Sequence, residues 1–252
     1  MENKTLLRIE HLKKTFGDHT ILKDISMEVK KGEVIVIIGP SGCGKSTFLR
    51  CLNHLETIDG GAVYFKDECI SGKNISRAVI CQHIGMVFQS YDLFNHLTVI
   101  DNITLAAIQV QHRKKAEVEQ AARRLLARVG LADKETAYPR QLSGGQKQRI
   151  AMIRALILNP EVMLFDEVTA SLDPEMVREV LDVIIGLTRQ GMTMLIVTHE
   201  MSFARAVADR IFFFDDGQII EENVPERFFD KPGTERAGQF LNSFKFNSVK
   251  VK

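Results

Sequence analysis

The chain has few residues suited to cross-linking or to holding a metal cluster. Its four cysteines, Cys43, Cys51, Cys69 and Cys81, include no C-x-x-C pair. Neither a zinc site nor a disulfide framework is favoured, and a reducing cytosol fits. The seven histidines are scattered, without paired metal-ligand spacing. Net charge is nearly absent: 33 Lys+Arg against 32 Asp+Glu leave +1, so no basic excess argues for nucleic acid and no acidic tail is present. No apolar run approaches the ~20 residues of a spanning helix, and Met1-Glu2-Asn3-Lys4 lacks the apolar stretch of a signal peptide. The expectation is a protein soluble when isolated, with any membrane association made through a partner. Repeats and low-complexity tracts are also lacking. What remains is 252 residues, enough for one large α/β domain or a core with a subdomain.

The most informative stretch is Gly39-Pro40-Ser41-Gly42-Cys43-Gly44-Lys45-Ser46-Thr47. It follows the buried-strand run Val34–Ile38, and Phe48-Leu49-Arg50 after it reads as the start of a helix. Strand, glycine-rich turn and helix match G-x-x-x-x-G-K-[ST], a phosphate-binding P-loop. Glycines let successive N–H groups point inward at a polyphosphate, and the helix N-terminus adds its dipole. Lys45 can reach the outer phosphates, and the Ser46 hydroxyl can ligate Mg²⁺. Cys43 lies among amide dipoles beside Lys45, so a reactive thiolate protected by bound nucleotide is expected; the alternative is an inert small residue.

Leu6–Leu12, Ile21–Val29 and Ala62–Phe65 read as strands of a small antiparallel layer beside the main sheet. Phe16 stands where the chain begins to turn, either to stack on a purine or to pack in the core. Ile84–Phe88 is a further strand run, and it delivers Gln89 to the strand end where open α/β sheets place ligands. Tyr91-Asp92-Leu93-Phe94 and His96–Val99 form either a surface for another protein or a loop folded on the core. From Arg113 to Val129 apolar residues fall on one helical face, with Gly130 as C-cap. Residues 90–158 contain no convincing strand, so they are read as a helical subdomain inserted in a core formed by 1–89 and 159–252. Within them, Leu142-Ser143-Gly144-Gly145-Gln146 opens a second anion-binding helix start.

Val162–Phe165 is a buried-strand run ending in Asp166-Glu167. An acid leaving such a strand suits Mg²⁺ binding by Asp166, and Glu167 beside it can polarise a water; the alternative is two solvated acids. Asp173-Pro174 starts a helix as N-cap and first-turn proline. Met192–Val197 delivers Thr198-His199, placing a histidine at the same ligand edge, for a γ-phosphate contact or a structural role. Ile211–Ile220 reads as a closing hairpin around Asp216-Gly217, followed by short helices near 226–229 and 236–244 and a fraying tail from Asn247.

Six motifs in this order resemble the ATP-binding subunits of ABC transporters, over about Leu7 to Phe244. They are the P-loop, the Gln89 loop, Leu142-Ser143-Gly144-Gly145-Gln146, Phe165-Asp166-Glu167, Ser171-Leu172-Asp173 and His199. Gly85–Gln89, Asn95–Val99 and Met192-Thr193-Met194 with Thr198-His199-Glu200-Met201 further resemble the polar amino acid importers, such as the histidine and glutamine uptake ATPases. Three positions depart from the family pattern: Val168 where Pro is usual, Ala170-Ser171 where Ser-Ala is usual, and Ile153 where Ala is usual. None removes a charge that the chemistry needs.

The resemblance implies an α/β fold: a RecA-like P-loop NTPase core with the antiparallel layer and inserted helical subdomain. It implies Mg-ATP as cofactor, bound by Phe16, Gly39 and Ser41 to Thr47 of one copy. Ser143, Gly144 and Gly145 of a second copy would complete the site in a head-to-tail homodimer, with Gln146 and Asp173 also among the nucleotide-binding residues. Lys45, Glu167, His199 and Gln89 would serve hydrolysis, with Ser46, Gln89 and Asp166 at the metal. Permease subunits would dock near Gln89 to Leu97, and an extracytoplasmic solute-binding protein would act indirectly. The expected location is the cytoplasmic face of the inner membrane. An exporter ATPase or a soluble non-transport relative is the alternative.

Overall fold

A computed structural model describes residues 4–72 and 75–244. The tail expected to fray from Asn247 lies outside the described residues. In chain order, Thr5–Phe16 (β1), His19–Lys30 (β2) and Val34–Ile38 (β3) lead into the helix Lys45–Leu52 (α1). Gly60–Phe65 (β4), Glu68–Cys69 (β5), Arg77–His83 (α2) and Ile84–Val87 (β6) follow. Then come Val99–Gln109 (α3), Lys115–Arg128 (α4) and Gly144–Leu156 (α5). The chain continues with Val162–Asp166 (β7), Pro174–Thr188 (α6), Thr193–Val197 (β8) and Met201–Val207 (α7). Arg210–Asp215 (β9), Gln218–Asn223 (β10), Pro225–Asp230 (α8) and Glu235–Asn242 (α9) complete it.

The strands form two sheets. One has the order β2-β1-β4-β5 and is antiparallel throughout. The other has the order β10-β9-β3-β8-β7-β6, parallel except for the β9–β10 hairpin. β3, β7 and β8 are buried at every residue, which explains their unbroken Val, Ile, Leu, Met and Phe runs. Because β3, β6, β7 and β8 run parallel, the segments that follow their carboxyl ends gather at one edge. Those segments are the P-loop, Gln89, Glu167 and His199.

Three apolar clusters hold these layers together. The first lies between the two sheets around Phe48, and the second covers the other face of the parallel sheet around Phe165 and Phe213. The third is drawn wholly from Val99 to Ile157. α5 serves two of them: Met152 packs in the second, while Ile150 and Ile153 pack in the third. The unusual Ile153 is therefore fully buried core.

Several local expectations differ from the structure. β1 and β2 are longer than Leu6–Leu12 and Ile21–Val29, since pairing continues through register shifts to Phe16↔His19. Shifted register hides the alternation that marks a strand. α1 begins at Lys45 rather than Phe48, because Gly44 takes the left-handed N-cap position. α2 carries no apolar stripe, burying only Ile80, and gave no periodic signal.

Candidate functional site

β3 ends in Gly39, where a Cβ would stand 2.1 Å from the Phe214 carbonyl oxygen. Glycine there is set by the close approach of the loop to β9. The loop then curls through Gly42 at φ +80° and Gly44 at φ +101° into α1. No side chain caps α1, so its first N–H groups are left for another partner. A cavity of about 380 Å³ lies over them, lined by Ser41, Gly42, Gly44, Lys45, Ser46, Thr47, Phe16 and Glu167. Phe16 is 45% exposed there, so it is not a core residue.

Lys45 is buried, and its ammonium donates to the carbonyls of Gly39 at 2.9 Å and Pro40 at 2.8 Å. The Ser46 hydroxyl donates to Asp166 Oδ1 at 2.6 Å. Burial pushes the Asp166 carboxyl up, against the Ser46 hydrogen bond and the nearby Arg50. Hydroxyl and carboxylate oxygens are the donors a hard cation prefers. Two oxygens are an incomplete set, and among the described residues no group of three or more His, Cys, Asp or Glu could hold a metal. Ligand oxygens and water would have to supply the rest.

Glu167 is held from three sides. Its N–H donates to the Val197 carbonyl at 3.0 Å, His199 Nε2 lies 3.0 Å from its Oε1, and Lys45 Nζ lies 4.0 Å from the same oxygen. Its φ of +47° is left-handed, a strained choice for a residue with a side chain. Val168 next to it is buried in the second cluster, so packing anchors this turn where the family pattern has a proline.

Cys43 departs from expectation. It is only 7% exposed, and burial raises its thiol pKa despite Lys45, whose ammonium is 4.0 Å from Sγ. Desolvation outweighs the attraction of the ammonium and the loop amides, so the thiolate is disfavoured.

The second helix start lies apart from this cavity. Ser143 Oγ accepts from Gln146 N at 3.3 Å and Gln146 Oε1 accepts from Ser143 N at 3.0 Å, a reciprocal cap on α5. A Cβ on Gly144 would stand 2.9 Å from the Tyr91 hydroxyl, and one on Gly145 would stand 3.0 Å from Met176 Cβ. Asp173 caps α6 by accepting from Met176 N at 3.1 Å. Gln89 is exposed and lines a separate hollow with Tyr91, Lys147 and Ser171.

Sequence reasoning passed over Gln148. It is fully buried, its Nε2 donates to the Phe88 carbonyl at 3.1 Å, and its Oε1 has no partner among the described residues. It ties α5 to the residue preceding Gln89. Its signal was a polar residue on the buried side of a helix.

A groove of about 460 Å³ runs beside Gln89, lined by Met86, Phe88, Asp92, Phe94, Ala106 and Arg154 among others. Phe94 is 44% exposed, whereas Leu93 is half-buried between the second and third clusters and Tyr91 turns toward Gly144. Of the three apolar residues expected at a partner surface, only Phe94 lines this groove.

The ABC transporter family model matches residues 22–170. The arginine transport ATP-binding protein ArtM of Bacillus subtilis is 51% identical over 94% of this chain and 98% of its own length. The glutamate transport ATP-binding protein GluA of Corynebacterium glutamicum is 50% identical over the same shares. A cassette solved as a dimer in a post-hydrolysis state with ADP and Pi superposes with a TM-score of 0.78, at 30% identity, covering 87% of this chain and 99% of that one. Shared motifs, matching length and common fold lead to one placement: the chain belongs to the ABC transporter family, among its ATP-binding subunits.

Proposed function

We propose that this chain is the ATP-hydrolysing subunit of an importer for a polar amino acid. Relatives named for arginine and glutamate transport support the substrate class. The observation that carries the chemistry is Glu167, set at the cavity wall and gripped by His199 and Lys45.

Phe16 stacks on the adenine, and the loop amides with Lys45 receive the phosphates. Lys45 exchanges its Gly39 and Pro40 carbonyl partners for the outer phosphate oxygens. Ser46 and Asp166, with Gln89, would hold Mg²⁺, which would neutralise charge on the outer phosphates. Glu167 orients a water for in-line attack, and His199 fixes the carboxylate that accepts the water's hydrogen bond. Ser143, Gly144 and Gly145 of a second copy, with Gln146 and Asp173 supporting them, close over the nucleotide in a head-to-tail homodimer. Their position outside the P-loop cavity supports this composite site.

A permease helix docks in the groove lined by Phe94. Arg154 and Asp92 in its lining supply both signs of charge beside apolar residues. Among the described residues no helix is long and apolar enough to cross a membrane. Attachment is peripheral, at the cytoplasmic face, through that permease. An extracytoplasmic binding protein would act through the permease. Residues 90–158 respond as a helical subdomain to the nucleotide at the core of 1–89 and 159–252.

The decisive experiment is Glu167→Gln. Turnover is expected to fall about 10²–10⁴-fold while ATP binding survives, and the variant accumulates as an ATP-bound dimer in size-exclusion chromatography with Mg-ATP. Near wild-type turnover would assign the base elsewhere.

A further inference from the structure

Lys14 lies two residues before Phe16 on the same strand, and it is only 6% exposed. Its ammonium stands 4.7 Å from the centroid of the Phe16 ring and 3.7 Å from Asp59 Oδ2. Asp59 is itself fixed: Oδ2 accepts from Thr15 N at 2.7 Å, and its N–H donates to the Lys13 carbonyl at 2.8 Å. The stem of this side chain is buried while its ammonium, without a hydrogen bond among the described residues, keeps contact with water, and an apolar side chain of similar volume would bury the stem as well. Its neighbours within the protein are one carboxylate beyond hydrogen-bond distance and the face of an aromatic ring. Core packing therefore gives no reason for the charge. The ring it touches is the exposed one at the mouth of the P-loop cavity.

We propose that Lys14 is a positioning residue for the nucleobase, bracing Phe16 from its protein side. The cation is attracted to the ring's π face and holds the ring upright over the loop. It also draws π density toward itself, leaving the outer face electron-poor. Such a face stacks better on an electron-rich purine. One ring face is thereby occupied, and the base is directed to the other. This inference rests on the reading of Phe16 as the stacking residue.

The test is equilibrium titration of the full-length protein with ATP and, separately, with inorganic tripolyphosphate, which has phosphates but no base. Lys14→Met is expected to weaken ATP about three- to tenfold and leave tripolyphosphate unchanged. Lys14→Arg, which keeps a cation for the ring, should recover most of the loss. In a Phe16→Ala background Lys14→Met should add no further loss. Equal weakening of both ligands, or the same loss without Phe16, would overturn the role and leave Lys14 a packing residue. Unchanged ATP affinity in Lys14→Met, alongside a clear loss in Phe16→Ala, would overturn the inference alone. Unchanged affinity in Phe16→Ala would instead overturn the stacking reading. If Lys14→Met does not fold, Lys14→Gln replaces it with the same outcomes.

Discussion

The two glycine-marked helix starts use the same backbone physics to different ends. At α1 the N-cap is Gly44 in the left-handed region, with no capping side chain and Lys45 immediately following. Open N–H groups, the helix dipole and Lys45 border one cavity, the arrangement proposed to receive the phosphates. At α5 the N-cap is Ser143 in an extended conformation, already bonded reciprocally with Gln146. No basic residue stands in its first three positions, and Gly144 and Gly145 are hemmed in by Tyr91 and Met176. The second start therefore presents a set of donors already partly used by its own cap. A helix N-terminus becomes a strong site only when its donors are left open and a cation joins them.

The largest expected effect comes from Lys45→Ala. It removes the cation that distinguishes the first start, so ATP affinity should fall about 10- to 100-fold in a nucleotide titration, and turnover with it. Ser143→Arg addresses the second start. ATP binding to the monomer should stay within about twofold, because Ser143 lies outside the P-loop cavity. Hydrolysis should be lost, because the bulk blocks closure of two copies. Equal loss of nucleotide binding in both variants would break the distinction between a complete and a partial site. The smallest effect concerns Cys43, buried under the first start with a raised pKa. Its neutral thiol form persists through pH 7, so labelling by a thiol reagent should be slow there and quicken as pH rises. Fast labelling at neutral pH would mean that the loop amides and Lys45 dominate after all.

Much of the site was legible because its parts are local. The P-loop is a contiguous strand–turn–helix, and Asp166-Glu167 follow directly from an apolar run. Ser143 and Asp173 announce their helices through short-range capping chemistry. Less legible were features whose cause lies far along the chain. The thiolate expected at Cys43 failed because burial is a tertiary quantity. Tyr91, Leu93 and Phe94 looked equivalent in sequence, yet they face α5, the core and the groove respectively. Gln148 and Lys14 are polar residues whose partners, the Phe88 carbonyl and the Phe16 ring, are set by the fold.

The sequence by itself determined the contiguous P-loop motif, the buried strands β3, β7 and β8, and the starts of α5 and α6. Those depend on residue type, spacing and contacts within a few positions. Only the tertiary structure decided that Ser46 meets Asp166 across 120 residues and that His199 meets Glu167 across 32. It also decided that Lys14 stands 4.7 Å from the centroid of the Phe16 ring and that the second helix start contributes no lining to the first cavity. The parallel order of β3, β8 and β7 aligns their carboxyl ends, and that alignment is a property of the assembled sheet rather than of any one strand.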